Sequence, residues 1–413
     1  MVTTPRATLM PLAGALAQLL DAVVPVANTE QIDTLEADGR VLAQDVVSAL
    51  QVPPQDNSSM DGYAVRTQEV LQGAPLPVSQ RIAAGTAGMP LQTGTVARIF
   101  TGAPVPEGAD AVVAQEDCIA LDASDDPAQI QIHSTPLPGQ WIRRAGEDVQ
   151  RGAVVLARGQ RLGPAEVGLA ASVGMASLAV LRRPRVALFS TGDELVMPGA
   201  VAPQDMPVGA IYNSNRFFLH HLLRRLGCVV TDYGIVPDQR QATVEALRSA
   251  AQSHDLILTS GGVSVGEEDH IKPAVQSLGS LDLWQIAIKP GKPFAHGRVG
   301  AAHFIGLPGN PVSSFVTFLL LVRPFLLRLQ GVQDVAPKSV AMRADFDWPR
   351  ADKRQEFLRV RRNAQGGLNL FPNQSSGVLT SLVWGDGLVD TPAGQPIVCG
   401  DTVRFLSFAE LLA

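Results

Sequence analysis

Cysteine is scarce: 413 residues carry three, Cys118, Cys228 and Cys399, with no C-x-x-C spacing among them. That excludes a disulfide framework and a zinc knuckle, and it assigns the three as small core residues in a reducing compartment. Charge is also low, at 17% of residues, and what there is leaves a formal net charge of −6. A broad nucleic-acid or anionic-membrane surface is therefore not expected, and any bound anion must be met by a few placed groups. Neither G-x-x-x-x-G-K-[ST] nor G-x-G-x-x-G occurs, so two common phosphate-binding loops are excluded. Long apolar runs are missing as well. Residues 7–26 are interrupted by Gln18 and Asp21, with only Arg6 before them, and residues 315–322 are stopped by Arg323-Pro324. The seven histidines include one close pair, His220-His221, whose side chains would point about 100° apart on a helix and not chelate together. The chain reads as soluble and cytoplasmic, with neither nucleic acid nor membrane as partner.

What is present is 46% hydrophobic residues over a length that calls for several cores, about two to four domains. The most informative stretch is 255–270, DLILTSGGVSVGEEDH. Leu256-Ile257-Leu258 has no polar alternation, the mark of a strand buried on both faces of a parallel sheet. It runs into Thr259-Ser260-Gly261-Gly262, where paired glycines permit positive φ and close approach to a ligand, and successive amides can cradle an anion. Glu267, Glu268 and Asp269 follow, at the carboxyl end of a strand where open α/β sheets bind ligands.

Along the chain, Leu12, Leu16, Leu19, Leu20 and Val23 share one face of a helix behind Pro11. Residues 31–44 predict a second helix, weakened by Gly39. Pro53-Pro54 marks a boundary, and residues 77–134 alternate short strands with glycine and proline turns, a small β-rich domain. A helix over 164–176 precedes a change of pattern at Arg185, from which strand, glycine loop and helix repeat: strand 186–189, helix 215–226 capped by Asn215 or Ser214, strand 228–231, a strand end at 234–238, helix 243–253, the central strand, and strand 303–307 feeding a long helix to 329. That alternation calls for a mostly parallel sheet with helices on both faces. From Gly331 strand-like runs return, including 381–386, and compose a final β domain or barrel.

If the sheet is parallel, topology delivers Asp193, Glu194, Asp238, Asp269, Lys289, Lys292 and the helix start after Asn310 to one edge. A carboxylate about 5 Å from a phosphate repels it by roughly 3 kcal/mol at an effective dielectric of 20. Several acids beside an anion site therefore need a cation between them, and oxygen-only ligands favour Mg²⁺. Lys289 and Lys292 flank a rigid Pro290-Gly291 turn, and the amides at 311–314 present the positive end of a helix. Taken singly, each acid reads equally well as a turn former or helix cap, and each lysine as half of a salt bridge.

Seven motifs, in order, carry a resemblance: 57–65 (NSSMDGYAV), 100–106 (FTGAPVP), 143–149 (RRAGEDV), 190–195 (STGDEL), 259–269 (TSGGVSVGEED), 287–294 (AIKPGKPF) and 307–313 (LPGNPVS). They resemble those of the molybdopterin molybdenumtransferase family of molybdenum cofactor biosynthesis, to which the E domain of gephyrin is also similar. The resemblance implies a multidomain α/β plus β fold: an elongated linking domain from 1–50 and 142–181, a β-rich domain at 51–141, a parallel-sheet α/β molybdopterin-binding domain at 182–330 and a C-terminal β-barrel at 331–413. It implies a homodimer whose cleft lies between the α/β domain of one chain and the β-rich domain of the other, with the upstream molybdopterin adenylyltransferase a candidate partner. The implied reaction joins molybdate to adenylylated molybdopterin and releases AMP with Mg²⁺. Carried over by motif, Glu194, Asp238 and Asp269 hold metal or orient the phosphoanhydride, and Asp61, Thr101 and Asp148 complete the catalytic set from the partner. Thr191, Gly192, Ser260, Gly261, Gly262 and Ser264 line the substrate. Lys289 and Lys292 with Pro308, Gly309, Asn310 and Pro311 hold phosphate or molybdate, and Arg359 and Ser376 join them from the C-terminal domain. Gln285 departs from the pattern, standing where some relatives are expected to carry lysine. The α/β module alone also resembles the preceding adenylyltransferase, and a receptor-binding scaffold is the alternative of a different class.

Overall fold

The structure, a computed structural model, describes residues 9–122, 128–236, 239–262 and 271–412. Its organising element is the strand Leu256–Ser260, buried at every position. Parallel neighbours flank it, Arg185–Ser190 on one side and Ala302–Leu307 on the other, and Val229–Ile235 extends the parallel run. A strand without a polar face needs cover on both sides. Alternate residues supply it: Leu256 and Leu258 face a core shared with Leu219, Leu223, Val316 and Phe325, while Ile257 faces one shared with Leu247, Ala274 and Phe304.

The sheet is mixed beyond that point. Pro293–Val299 pairs antiparallel with Ala302–Leu307, and Gly279–Gln285 pairs antiparallel with Pro293–Val299. The cause is local: Val299 and Ala302 pair across a two-residue turn, with Gly300 at φ 56°, a hairpin rather than a crossover. Convergence survives this for a different reason than parallel topology. An antiparallel strand begins where its neighbour ends, so Lys292, just before Pro293, still lies at the carboxyl edge.

Several sequence expectations change. Residues 31–44 do not form a helix; Thr29–Asp33 pairs antiparallel with Ser177–Leu181, and Gly39 turns the chain at φ 72°. Long-range pairing overrides a weak local propensity there. The helix Ser214–Arg225 is capped by Asn213, whose side chain accepts the Arg216 amide, and not by Asn215 or Ser214. Residues 228–231 and 234–238 belong to one strand, Val229–Ile235, as far as they are described. Thr380–Trp384 is helical rather than extended. Of the cysteines, Cys228 is buried as expected, Cys118 is half-buried and Cys399 is exposed.

Residues 311–329 form one 19-residue helix, with a wider turn at Phe318–Val322. Its length and composition would suffice to cross a membrane, but 89% of its most apolar window is buried in this core. The N-terminal helix Leu12–Asp21 adds Ala15 and Leu19 to the same core, and Met10 exchanges 2.7 Å backbone hydrogen bonds with Gln285 and Ala287. A separate six-stranded sheet holds Gly62–Val65, Pro75–Ile82, Val96–Ile99, Ala111–Ala114, Cys118–Ala120 and Gln129–Ile132. In the C-terminal part, Gln355–Arg362, Gly367–Leu370, Val340–Ala344, Thr402–Ser407 and Gly387–Thr391 close into a five-stranded barrel.

Leu258→Ala, which empties a site at 0% exposure, is expected to cost about 2–5 kcal/mol. Urea unfolding should show it against Leu35→Ala, at an 82% exposed position, which is expected to change little.

Candidate active site

The loops at the carboxyl edge leave from strands in strict register. Ser190 pairs with both Ile235 and Ser260, and Ser260 pairs with Leu307. The chain segments carrying Asp238, Glu194 and Asp269 therefore start from three adjacent strands about 4.8 Å apart. Glu194 is exposed, and its carboxylate folds back over Gly192, where a Cβ would lie 2.5 Å from Oε2. Asp238, Ser264 and Asp269 lie outside the described residues. Among the described residues no group of three or more His, Cys, Asp or Glu side chains is placed to hold a metal.

The glycines after the central strand have a steric reason. Gly261 and Gly262 take φ of 92° and 68°, and a Cβ on Gly261 would fall 2.6 Å from the Thr191 carbonyl oxygen. The two loops lie backbone against backbone, which only glycine permits. The Gly261 amide donates to the Leu307 carbonyl at 3.1 Å. Thr191 Oγ1 is buried at this junction without a hydrogen-bond partner among the described residues.

One residue that the sequence offered only as a helix cap fastens the edge. Asn215 Nδ2 donates to Ser260 Oγ at 2.8 Å and to the Gly309 carbonyl at 2.7 Å, joining the ends of two strands. The signal was the doubled amide in Tyr212-Asn213-Ser214-Asn215: one amide caps the helix, which leaves the other for the site.

The helix start at Pro311 offers fewer free amides than its sequence implied. Proline has none, the Val312 amide donates to the Ser376 carbonyl at 3.0 Å, and the Ser314 amide donates to the Asn310 carbonyl. Ser313 supplies the remaining one, beside exposed Gly309 and Asn310. Ser376 thus meets this edge through its backbone. Arg359 does not reach it: at 1% exposure it donates to Ser381 Oγ, the Phe357 carbonyl and the Ser375 carbonyl. Burial pushes its guanidinium down to about 10. Arg359 thus holds the loop next to Ser376 through the Ser375 carbonyl.

The two lysines differ. Lys289 Nζ lies 3.0 Å from Glu356 Oε1, off the hydrogen-bond direction, and 3.4 Å from Asp352 Oδ2, so its charge is shared with the barrel. Lys292 is exposed. Between them Gly291, at φ 116°, approaches Thr317 so closely that a Cβ would sit 2.4 Å from its Oγ1.

Of the remaining candidates, Asp61 and Thr101 flank strands of the β-rich sheet, whose cores are separate from those of the α/β sheet, and Asp148 precedes Val149 of a further core. Asp61 Oδ1 accepts from the Thr101 amide at 2.8 Å and the Thr101 hydroxyl at 2.7 Å, and these bonds hold the carboxyl below its ordinary range. Arg98 braces the pair, lying over the Tyr63 and Phe100 rings and donating to the Gly62 carbonyl. Asp148 is exposed, with its amide on the Val52 carbonyl.

Three family models match this chain: MoeA N-terminal region (domain I and II) over residues 10–174, a probable molybdopterin binding domain over 187–328, and MoeA C-terminal region (domain IV) over 341–408. It is 41% identical over 356 residues to molybdopterin molybdenumtransferase of Haemophilus influenzae, covering 85% of each chain. It is 38% identical over 392 residues to molybdopterin molybdenumtransferase 2 of Mycobacterium tuberculosis, covering 91% of this chain and 93% of that one. The solved molybdopterin biosynthesis moeA protein of Pyrococcus horikoshii superposes with a TM-score of 0.83 at 28% identity, over 97% of this chain and 100% of that one.

Two outcomes are expected. Asn215→Ala loosens both loops by about 1–2 kcal/mol, read as faster amide exchange at Gly261 and Gly309 while the Leu256–Ser260 amides keep their protection. Thr101→Val removes one donor from Asp61 and raises its titration midpoint toward the ordinary carboxylate value, followed by carboxyl-carbon NMR. The sign follows from the depressed value in the folded protein: the Asp61 contribution is present above the unfolded carboxyl pKa and is lost as pH falls through the folded one.

Proposed function

The chain belongs to the molybdopterin molybdenumtransferase family, transferases of molybdenum cofactor biosynthesis, and from that premise we propose that it inserts molybdenum from molybdate into adenylylated molybdopterin with Mg²⁺-dependent release of AMP. The observation that carries the finer reading is the register of Ser190 with Ile235 and Ser260, which starts the loops of Glu194, Asp238 and Asp269 side by side. The donors described at this edge, the Glu194 carboxylate and the Thr191 hydroxyl, which has no partner among the described residues, are hard oxygens and fit a hard cation. Glu194, Asp238 and Asp269 would hold Mg²⁺, which when bound neutralises charge between the carboxylates and the phosphoanhydride oxygens.

The chain's own groups divide the work. The Gly262 and Ser313 amides orient phosphate oxygens, and Lys292 meets an incoming oxyanion from the loop opposite. Water adds across the phosphoanhydride, leaving a terminal phosphate on molybdopterin and freeing AMP. The two dithiolene sulfurs replace two molybdate oxygens, which depart as two waters carrying the two thiol protons and two protons taken from solvent. Asp61, kept ionised by Thr101, and Asp148 act from a second copy. The separate cores of the two sheets support that arrangement, and with it a homodimer in the cytoplasm supplied by the upstream adenylyltransferase. The division at residues 50, 141, 181 and 330 belongs to the same proposal.

Purified protein given adenylylated molybdopterin and Mg²⁺ is expected to release AMP only when molybdate is present. Asp269→Ala should abolish release, and Lys292→Gln should raise the molybdate concentration needed for half-maximal rate by about ten-fold. Substrate binding without release, indifferent to molybdate, would leave a carrier or scaffold.

A further inference from the structure

At the opposite edge of the α/β sheet, where its parallel strands begin, lies a cavity of about 470 Å³. Register again explains what lines it. Arg185 opens its strand, Asp255 immediately precedes the central one, His303 pairs with Leu256, and Arg298 pairs with His303. Four neighbouring strands thus deliver Arg185, Asp255, His303 and Arg298 in a row across roughly 14 Å, at about 4.8 Å per strand. Val24, Val26 and Leu329 form an apolar wall.

The charges in this cavity do not balance. Arg182 donates to both oxygens of Asp255, at 2.8 and 2.7 Å, and the Arg185 amide adds a third bond at 2.8 Å. Burial pushes the Asp255 carboxyl up, but these donors outweigh it and hold the group below its ordinary range. Arg182 and Asp255 are therefore spent on each other. Arg298 gives its Nη atoms to the neutral carbonyls of Ala301 and Ala22, and the Arg185 guanidinium has no hydrogen-bond partner among the described residues. Asp255 is the one carboxylate among the described lining residues and Arg182 holds both its oxygens, so Arg185 and Arg298 leave the lining with an excess of two positive charges, on a chain whose net charge is −6. His303 adds none, since burial holds its ring down at about 4 and neutral, with Nδ1 unpartnered among the described residues at 4% residue exposure.

We propose that this amino-edge cavity binds a phosphate-bearing small molecule, with its dianion between Arg185 and Arg298 and its organic part against Val24, Val26 and Leu329. Two guanidiniums match a phosphate in charge and in planar, bidentate geometry, and the volume lies within the range of small-ligand sites. The site is separate from the carboxyl edge and does not depend on the reaction proposed there.

The test is calorimetric titration of the full chain at fixed ionic strength and about pH 7.5, where phosphate is mainly dianionic, with inorganic phosphate and ribose 5-phosphate as probes. Arg185→Gln is the informative variant, because its guanidinium holds nothing else in place. It is expected to weaken binding of both probes by about ten-fold, with ribose 5-phosphate the tighter of the two in the wild type. Lys292→Gln should leave this binding unchanged, and Arg185→Gln should leave AMP release unchanged. Equal binding by wild type and Arg185→Gln, or loss with Lys292→Gln instead, would move the phosphate to the carboxyl edge and overturn the proposal. An absence of binding to the wild type up to about 10 mM would overturn it outright.

Discussion

The burial of Leu256–Ser260 on both faces is the constraint from which the rest follows. A strand with no polar side cannot sit at a surface, so helices must cover the sheet above and below. Crossovers between parallel strands provide them. Those crossovers return the chain to the same end of the sheet each time, so strand ends, and the loops on them, collect along one edge. The loop-bearing edge is thus a consequence of core formation, and close-packed glycines at Gly261, Gly262 and Gly291 show how tightly the loops are then fitted.

What could be read from the sequence was what depends on local chemistry. An unbroken apolar run, a glycine pair and a proline at a helix start each carry their own signal, and the central strand, the long helix and the α/β order all followed from them. The hairpin that reverses the last two strands was not legible in that way. Gly300-Ala301 differs from any other short turn only in what pairs across it. The same holds for residues 31–44, where the partner strand is about 145 residues away. In the candidate site, the residue types were visible but their commitments were not. Arg359 and Lys289 looked alike as cations available to a ligand, yet one is enclosed by the barrel and the other shares its charge with Glu356 and Asp352. Asn215 looked like a cap because nothing in the sequence tells which of two nearby amides faces the helix and which faces Ser260 and Gly309.

The Asp61–Thr101 pair illustrates a different economy. Its geometry is complete within one small sheet, held by two short hydrogen bonds and a stacked arginine, and owes nothing to the α/β core. A preorganised carboxylate of this kind can be brought to a site as a finished part. That would suit the two-chain cleft proposed above, where neither body can rely on the other's packing to set its side chains.

The barrel's attachment to the α/β edge has a further consequence. It docks through Lys289 on Glu356 and Asp352, and through the Ser376 carbonyl on the Val312 amide. Lysine charge and helix-start amides are also the donors an oxyanion would seek at that edge. An oxyanion bound there as proposed would share these donors with the barrel, and linkage is reciprocal. An anion that recruits Lys289 away from Glu356 weakens the barrel's hold by the same factor by which a seated barrel weakens that anion. The barrel keeps its place all the same, because Phe357, Leu388, Leu406 and Phe408 share the core of the α/β sheet, and only that one charge is contested.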